Sequence, residues 1–219
     1  ANFTKQNFDV IKSVDRQINS TVFNNTDTKD QRIMVGYDFM GRKQNATAYQ
    51  ADYEDQAHSA FAMLDKKFNN NFRYGLGVMF TKYNSDYDDD ASSRKEFMVQ
   101  VLAPLSAEFG NTKIVSVPRL GAGFGEYKRH AVNERYEADT TNYYYGVTNE
   151  ARHNINMGWF GLEPNVELNV LGMYQSKMKE NGALVVESSN NISVETGIGL
   201  YATKTVEVSL IHISEPTRP

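Results

Sequence analysis

Three histidines, one run of aspartates and one glycine cluster are the residues whose types could do chemistry. His58, His130 and His153 are candidate general bases. A nucleophilic triad needs a serine and an acid converging on the base, and no motif ties any of the three to a serine. Each reads as a solvated or pore-lining residue. "DYDDD" at 86–90 offers carboxylates to a cation. It lacks the alternate ligand spacing and the glycine of a calcium loop, so it reads as a solvated acidic loop. "GAGFG" at 121–125 resembles a phosphate-binding turn. It lies inside a strand pattern and opens no helix, so it is set aside. The expectation is no catalytic residue, no cofactor-binding residue, no metal ligand and no cofactor.

The elements that would carry such residues give a sharper reading. Phe8, Ile11, Val14, Ile18 and Val22 recur at three- and four-residue spacing between polar residues. This predicts one amphipathic helix over residues 3–23 with a narrow apolar stripe. "NNTDTKD" at 24–30 ends it. From Gln31 onward strict alternation replaces the helical period. In "RIMVGYDFM", Ile33, Val35, Tyr37 and Phe39 share one face, with Arg32, Met34, Gly36 and Asp38 on the other. In "FRYGLGVMFTKY", Phe72, Tyr74, Leu76, Val78 and Phe80 oppose Arg73, Gly75, Gly77, Met79, Thr81 and Tyr83. Residues 160–175 separate Phe160, Leu162, Val166, Leu168, Val170 and Tyr174 from Glu163, Asn165, Glu167 and Asn169. The pattern predicts about eight strands, several longer than the five or six residues usual in globular sheets.

The totals leave two solvents open for the apolar face. Mean hydropathy is −0.56 and net charge −4, the profile of a polar soluble protein such as a β-sandwich. A membrane barrel shows lipid only every second residue, however, so its average stays low too. No apolar run reaches the roughly 18 residues of a transmembrane helix. There is no cysteine, which removes disulfides and thiolate chemistry, and no basic run, which removes nucleic acid as a partner. "FNNNF" (68–72), "FGNTK" (109–113) and "INMGW" (155–159) read as tight turns. Residues 41–54, 84–93, 129–141 and 176–190 read as long polar loops. Short turns at one end and long loops at the other are the pattern of an outer-membrane barrel, as are aromatics near strand ends: Tyr37, Phe39, Phe72, Tyr83, Phe97, Phe109, Trp159, Phe160 and Tyr174.

One helix followed by long alternating strands resembles the autotransporter β-domain, the translocator half of a type V secretion protein. The resemblance rests on "RIMVGYDF", "FRYGLGVMFTKYNSDYDDD", "VPRLGAGFGEYKRH" and the stretch from "LEPNVELNV" to "GIGLYATKTVEV". It implies an all-β, antiparallel, up-and-down transmembrane barrel of about twelve strands with the N-terminal helix in the lumen, of which about eight are present here. It also implies residence in the bacterial outer membrane, export of an upstream passenger, help from the barrel-assembly machinery, and a monomer once complete. The expected division is a lumen or linker helix over 1–30, a partial barrel over 31–208, and a non-native tail over 209–219. That tail, "SLIHISEPTRP", resembles a translated sequencing adapter. A partial barrel would have two open strand edges that lipid cannot satisfy. Small residues on the inner parity (Gly36, Gly75, Gly77, Gly121, Gly123, Gly125, Gly197 and Gly199) would make room for the helix. One autotransporter subgroup cuts its passenger free between two asparagines of this helix. Asn24-Asn25 falls at the helix end with flanks unlike that subgroup's, and reads as an asparagine-rich helix stop. A porin-like or adhesin barrel without a passenger is the alternative, disfavoured by the helix. A barrel hydrolase is disfavoured by the missing constellation.

Overall fold

The structure, a computed structural model, describes residues 3–44, 53–87, 92–131, 134–176, 178–179, 185–186 and 188–204. The chain begins with helix α1 (Phe3–Asn24). The strands follow: β1 (Gln31–Gln44), β2 (Tyr53–Lys67), β3 (Phe72–Tyr87), β4 (Ser92–Leu102), β5 (Leu105–Phe109), β6 (Thr112–Ala131), β7 (Glu134–His153), β8 (Ile155–Asn156), β9 (Phe160–Gln175), β10 (Met178–Lys179), β11 (Val185–Val186) and β12 (Ser189–Lys204). Every pairing is antiparallel between sequence neighbours in the wall, in the order β1-β2-β3-β4-β6-β7-β9-β12. β5 continues the line of β4 after a break at Ala103–Pro104, pairing β3 and β6. That gives eight wall positions. β1 and β12 each have one partner among the described residues, so the wall is open between them. The tail 209–219 and residues 88–90 of the acidic run lie outside the described residues.

The wall encloses α1. All five residues of the apolar stripe are buried, and they meet the inward parity of the strands. Val14, Ile18 and Val22 pack with Met34, Phe61, Met63, Met79, Leu102, Val115 and Val117. Phe8 and Ile11 pack with Met98, Tyr144, Leu171 and Met173. The opposite parity faces out and stays bare: Ile33 is 77% exposed and Ile198 78%. A soluble sheet would cover such residues, since contiguous exposed apolar area of this extent does not persist in water. Lipid is the solvent that lets them stay outside.

Aromatic residues bound this outer belt at two levels. Near the short turns, Phe72 meets Phe109 at 5.4 Å between ring centroids, and Trp159 meets Phe160 at 4.6 Å. Farther along, Phe80 stacks on Phe97 at 6.3 Å and Tyr143 lies 6.2 Å from Tyr174. Phe72 to Phe80 is about 26 Å of strand at roughly 3.3 Å per residue, or about 20 Å of height at the usual barrel tilt, most of a lipid-facing band. Tyr83 departs from the expected girdle. It points inward, fully buried against Val10 and Ala57.

Link lengths depart from expectation as well. Residues 129–141 and 84–93 are mostly strand: only 132–133 separate β6 from β7, and only 88–91 separate β3 from β4. At these two links long polar strand ends supply the asymmetry, whereas 45–52 and 180–184, within the expected loops 41–54 and 176–190, lie outside the described residues. β6 and β7 run 20 residues each, about 66 Å at 3.3 Å per residue, so they overshoot a crossing that needs about nine to eleven residues. The belt lies flush with the short-turn end. The overshoot is all at the other end, where the outward residues become Lys82, Asp86, Lys95, Glu126 and Lys128.

The glycines lie on the inward parity, but the space they leave is filled by the wall itself. A side chain at Gly36 would run into the Phe61 ring, one at Gly77 into Met63, and one at Gly121 into Gln100. Neighbouring side chains lie flat over the glycines, and α1 packs on top of this layer. The bore is kept wide in two stages.

Candidate functional site, a helix seated in the lumen

The site is the contact between α1 and the inner wall. The helix runs along the bore with its N-terminus at the overshooting end and its C-terminus at the short-turn end. Near its start, the Tyr87 hydroxyl donates to Gln6 at 3.0 Å and Arg94 donates to the Asn7 side-chain oxygen Oδ1 at 2.6 Å. The Asn7 amide donates to the Tyr144 hydroxyl at 2.8 Å, and Tyr144 donates to Glu96 at 2.7 Å. Arg94 and Asn142 also donate to Glu96. Arg42 bridges Asp9 on the helix and Asp55 on β2, at 2.7 and 2.6 Å.

At mid-helix, Asp15 is paired with Arg119 of β6, both side chains almost fully buried. At the far end, the last turn leaves carbonyls without helical partners. Lys113 donates to the Val22 carbonyl at 2.8 Å and to that of Phe23 at 3.4 Å, placing a cation at the negative end of the helix dipole. Arg32 continues this capping with bonds to the Asn25 and Asp27 carbonyls, while held by Asp65 at 2.6 Å. The helix also spans the open side of the wall. Ser13 donates to Asp38 of β1 at 2.7 Å, and Lys12 donates to Glu195 of β12 at 2.6 Å.

The histidines do not converge on this site. His58 faces outward, bonded to the Tyr37 hydroxyl and beside the Phe39 ring at 4.9 Å. Of the two readings for His58, solvated or lumen, this placement contradicts the lumen one. His153 is exposed at the short-turn end, 2.8 Å from Thr112. The His130 side chain lies outside the described residues. Gly121, Gly123 and Gly125 sit within β6 and face Gln100, Glu96 and Thr140. Asn24 donates to Ser20 at 3.2 Å and Asn25 accepts from the Asp27 amide at 3.0 Å, Asn24 exposed and Asn25 half-buried at the helix exit. Among the described residues, no three His, Cys, Asp or Glu side chains gather closely enough to hold a metal. A groove of about 540 Å³ lies outside the wall, between Phe72, Tyr74, Leu105 and Ile114, and is almost wholly apolar.

The arrangement therefore binds a helix within a lipid-facing wall, the geometry of a translocator that retains a segment in its pore. The sequence model of the autotransporter β-domain family matches residues 35–215, and the chain belongs to that family. The match extends into the stretch that the sequence reading sets aside as non-native. The fold superposes on the translocator domain of the autotransporter NalP from Neisseria meningitidis with a TM-score of 0.80 at 12% identity, covering 95% of this chain and 74% of that one. The β-domain of the Bordetella autotransporter BrkA gives a TM-score of 0.67 at 17% identity, covering 83% and 73%. No curated protein matches the chain. The protein is an outer-membrane β-barrel translocator that enables export of an upstream passenger to the cell surface.

Proposed function

We propose that residues 1–30 serve as linker and pore plug, and that residues 31–208 serve as the wall through which the passenger leaves. One observation carries this reading: α1 lies inside the wall with its N-terminus at the end where the strands overshoot the lipid belt. A chain preceding Phe3 continues outward from that end, and the wall follows the helix from the opposite one. The short-turn end is periplasmic, because the belt lies flush with it and leaves little protein on that side.

On this reading the domain acts by position, as a wall around a retained helix. Its lumen carboxylates are engaged structurally: Asp15 with Arg119, Asp55 with Arg42, Asp65 with Arg32, and Glu96 with Arg94. The outer-membrane lipid, the passenger and the barrel-assembly machinery are its partners, and the complete barrel works as a monomer. The helix itself completes the inner face of the wall between β1 and β12 through Ser13 and Lys12.

The test is passenger exposure on intact cells producing the gene's full product. Protease added outside should remove the passenger and leave α1 intact within the barrel. A passenger accessible only after the outer membrane is broken would refute the reading.

A further inference from the structure

On the outward face of β2, β3 and β4, two lysines sit directly above the upper aromatic level, where the face becomes charged. Lys82 is opposite His58 on one side and Phe97 on the other. Lys95 is opposite Asn84, one diagonal step from Lys82. Both lysines are exposed. Two carboxylates share this face: Glu126, directly opposite Lys95 and bonded to Lys128 at 3.3 Å, and Asp86, one diagonal step from Lys95; among the described residues neither Lys82 nor Lys95 forms an ion pair with them. Beneath the two lysines, the stacked rings of Phe80 and Phe97 form an apolar floor. At the same level on the far side of the wall, β7, β9 and β12 present Thr141, Tyr143, Tyr174 and Asn190, with no cation.

We infer that Lys82 and Lys95 bind the phosphate of an outer-leaflet glycolipid whose acyl chains lie on Phe80 and Phe97. Unpaired cations at the edge of a hydrocarbon belt extend toward headgroup level, where anionic lipid attracts them. An amphipathic occupant matches both the lysines and the rings beneath them. A free anion would leave the aromatic floor unused, and a plain apolar partner would leave two ammonium groups unpaired. His58, held by Tyr37, keeps its other ring nitrogen for the same headgroup. This inference rests on the membrane orientation proposed above.

The test uses the gene's full product purified in neutral detergent, with retained lipid counted by native mass spectrometry. The probes are a bis-phosphorylated, acylated glucosamine disaccharide and its phosphate-free counterpart. Wild type should retain the first and not the second. The Lys82→Gln/Lys95→Gln variant should bind it roughly tenfold more weakly or worse. Lys66→Gln, an outward lysine at the opposite rim, should bind as wild type does. Equal binding by the double variant, equal binding of the phosphate-free lipid, or an equal loss in Lys66→Gln overturns the inference. Heat-shifted gel mobility, measured without either lipid, reports separately on the barrel. Its absence in wild type would contradict the membrane reading itself, whereas its presence with no lipid preference would contradict only the lysine site.

Discussion

Asp15 of α1 and Arg119 of β6 form an ion pair in the middle of the pore, with side-chain exposures of 7% and 1%. Neither charge has ready access to bulk water, so each depends on the other. Breaking such a pair costs more than the pair itself contributes, because the remaining charge is stranded. Arg119→Met should therefore loosen the helix by about 3 kcal/mol. Adding Asp15→Asn should recover much of that loss. Hydrogen exchange of residues 10–20 in the folded barrel measures both effects.

Lys113 makes a smaller and more local contribution. Lys113→Met removes the donor to the Val22 and Phe23 carbonyls and should cost about 1 kcal/mol. Exchange should quicken over residues 20–24 and remain unchanged near Phe8.

Gly36 lies beneath the Phe61 ring, which in turn supports Val14, Ile18 and Val22. Gly36→Val should lift the ring into the helix and destabilise the barrel by about 1–3 kcal/mol, the usual range for overpacking. Gly36→Val with Phe61→Ala should be more stable than Gly36→Val alone. Thermal melting in micelles, followed by gel mobility, reads this difference.

Leu76 is 64% exposed midway between the two aromatic levels of β3. Leu76→Arg should destabilise insertion by about 2–4 kcal/mol, as for a cation at mid-bilayer on a lipid face. Lys82→Arg, a few residues along the same face, should leave stability unchanged. Urea unfolding from lipid vesicles distinguishes them, and equal tolerance at the two positions would argue against a lipid belt.

Much of this was legible in the sequence because alternation reports which face a residue occupies. The helix stripe and the two faces of β1, β3 and β9 follow directly from periodicity. Tyr83 and His58 are instructive exceptions. Parity places Tyr83 with Gly77 and Thr81, inside, and His58 with Ala60 and Ala62, outside. Judging them by residue type, aromatic for the rim and polar for the lumen, gives the wrong face. The strand overshoot at 129–141 was hidden for a different reason. Strand ends that leave lipid are polar on both faces, so the apolar alternation that marks a strand disappears. The pairs Asp15–Arg119, Arg42–Asp9 and Lys12–Glu195 depend on helix depth and rotation within the wall, which no local spacing records.

The central claim is that α1 lies inside the wall, with Ser13 against β1. The chain has no cysteine, so a double variant, Ser13→Cys with Asp38→Cys, carries only the two thiols of interest. A short thiol-reactive crosslinker should join them in folded protein in outer-membrane preparations, and not after heat denaturation. Ser13→Cys with Phe39→Cys, whose second thiol faces lipid, should not crosslink. Crosslinking of the Phe39 pair in preference to the Asp38 pair, or of neither, would contradict a helix seated in the lumen.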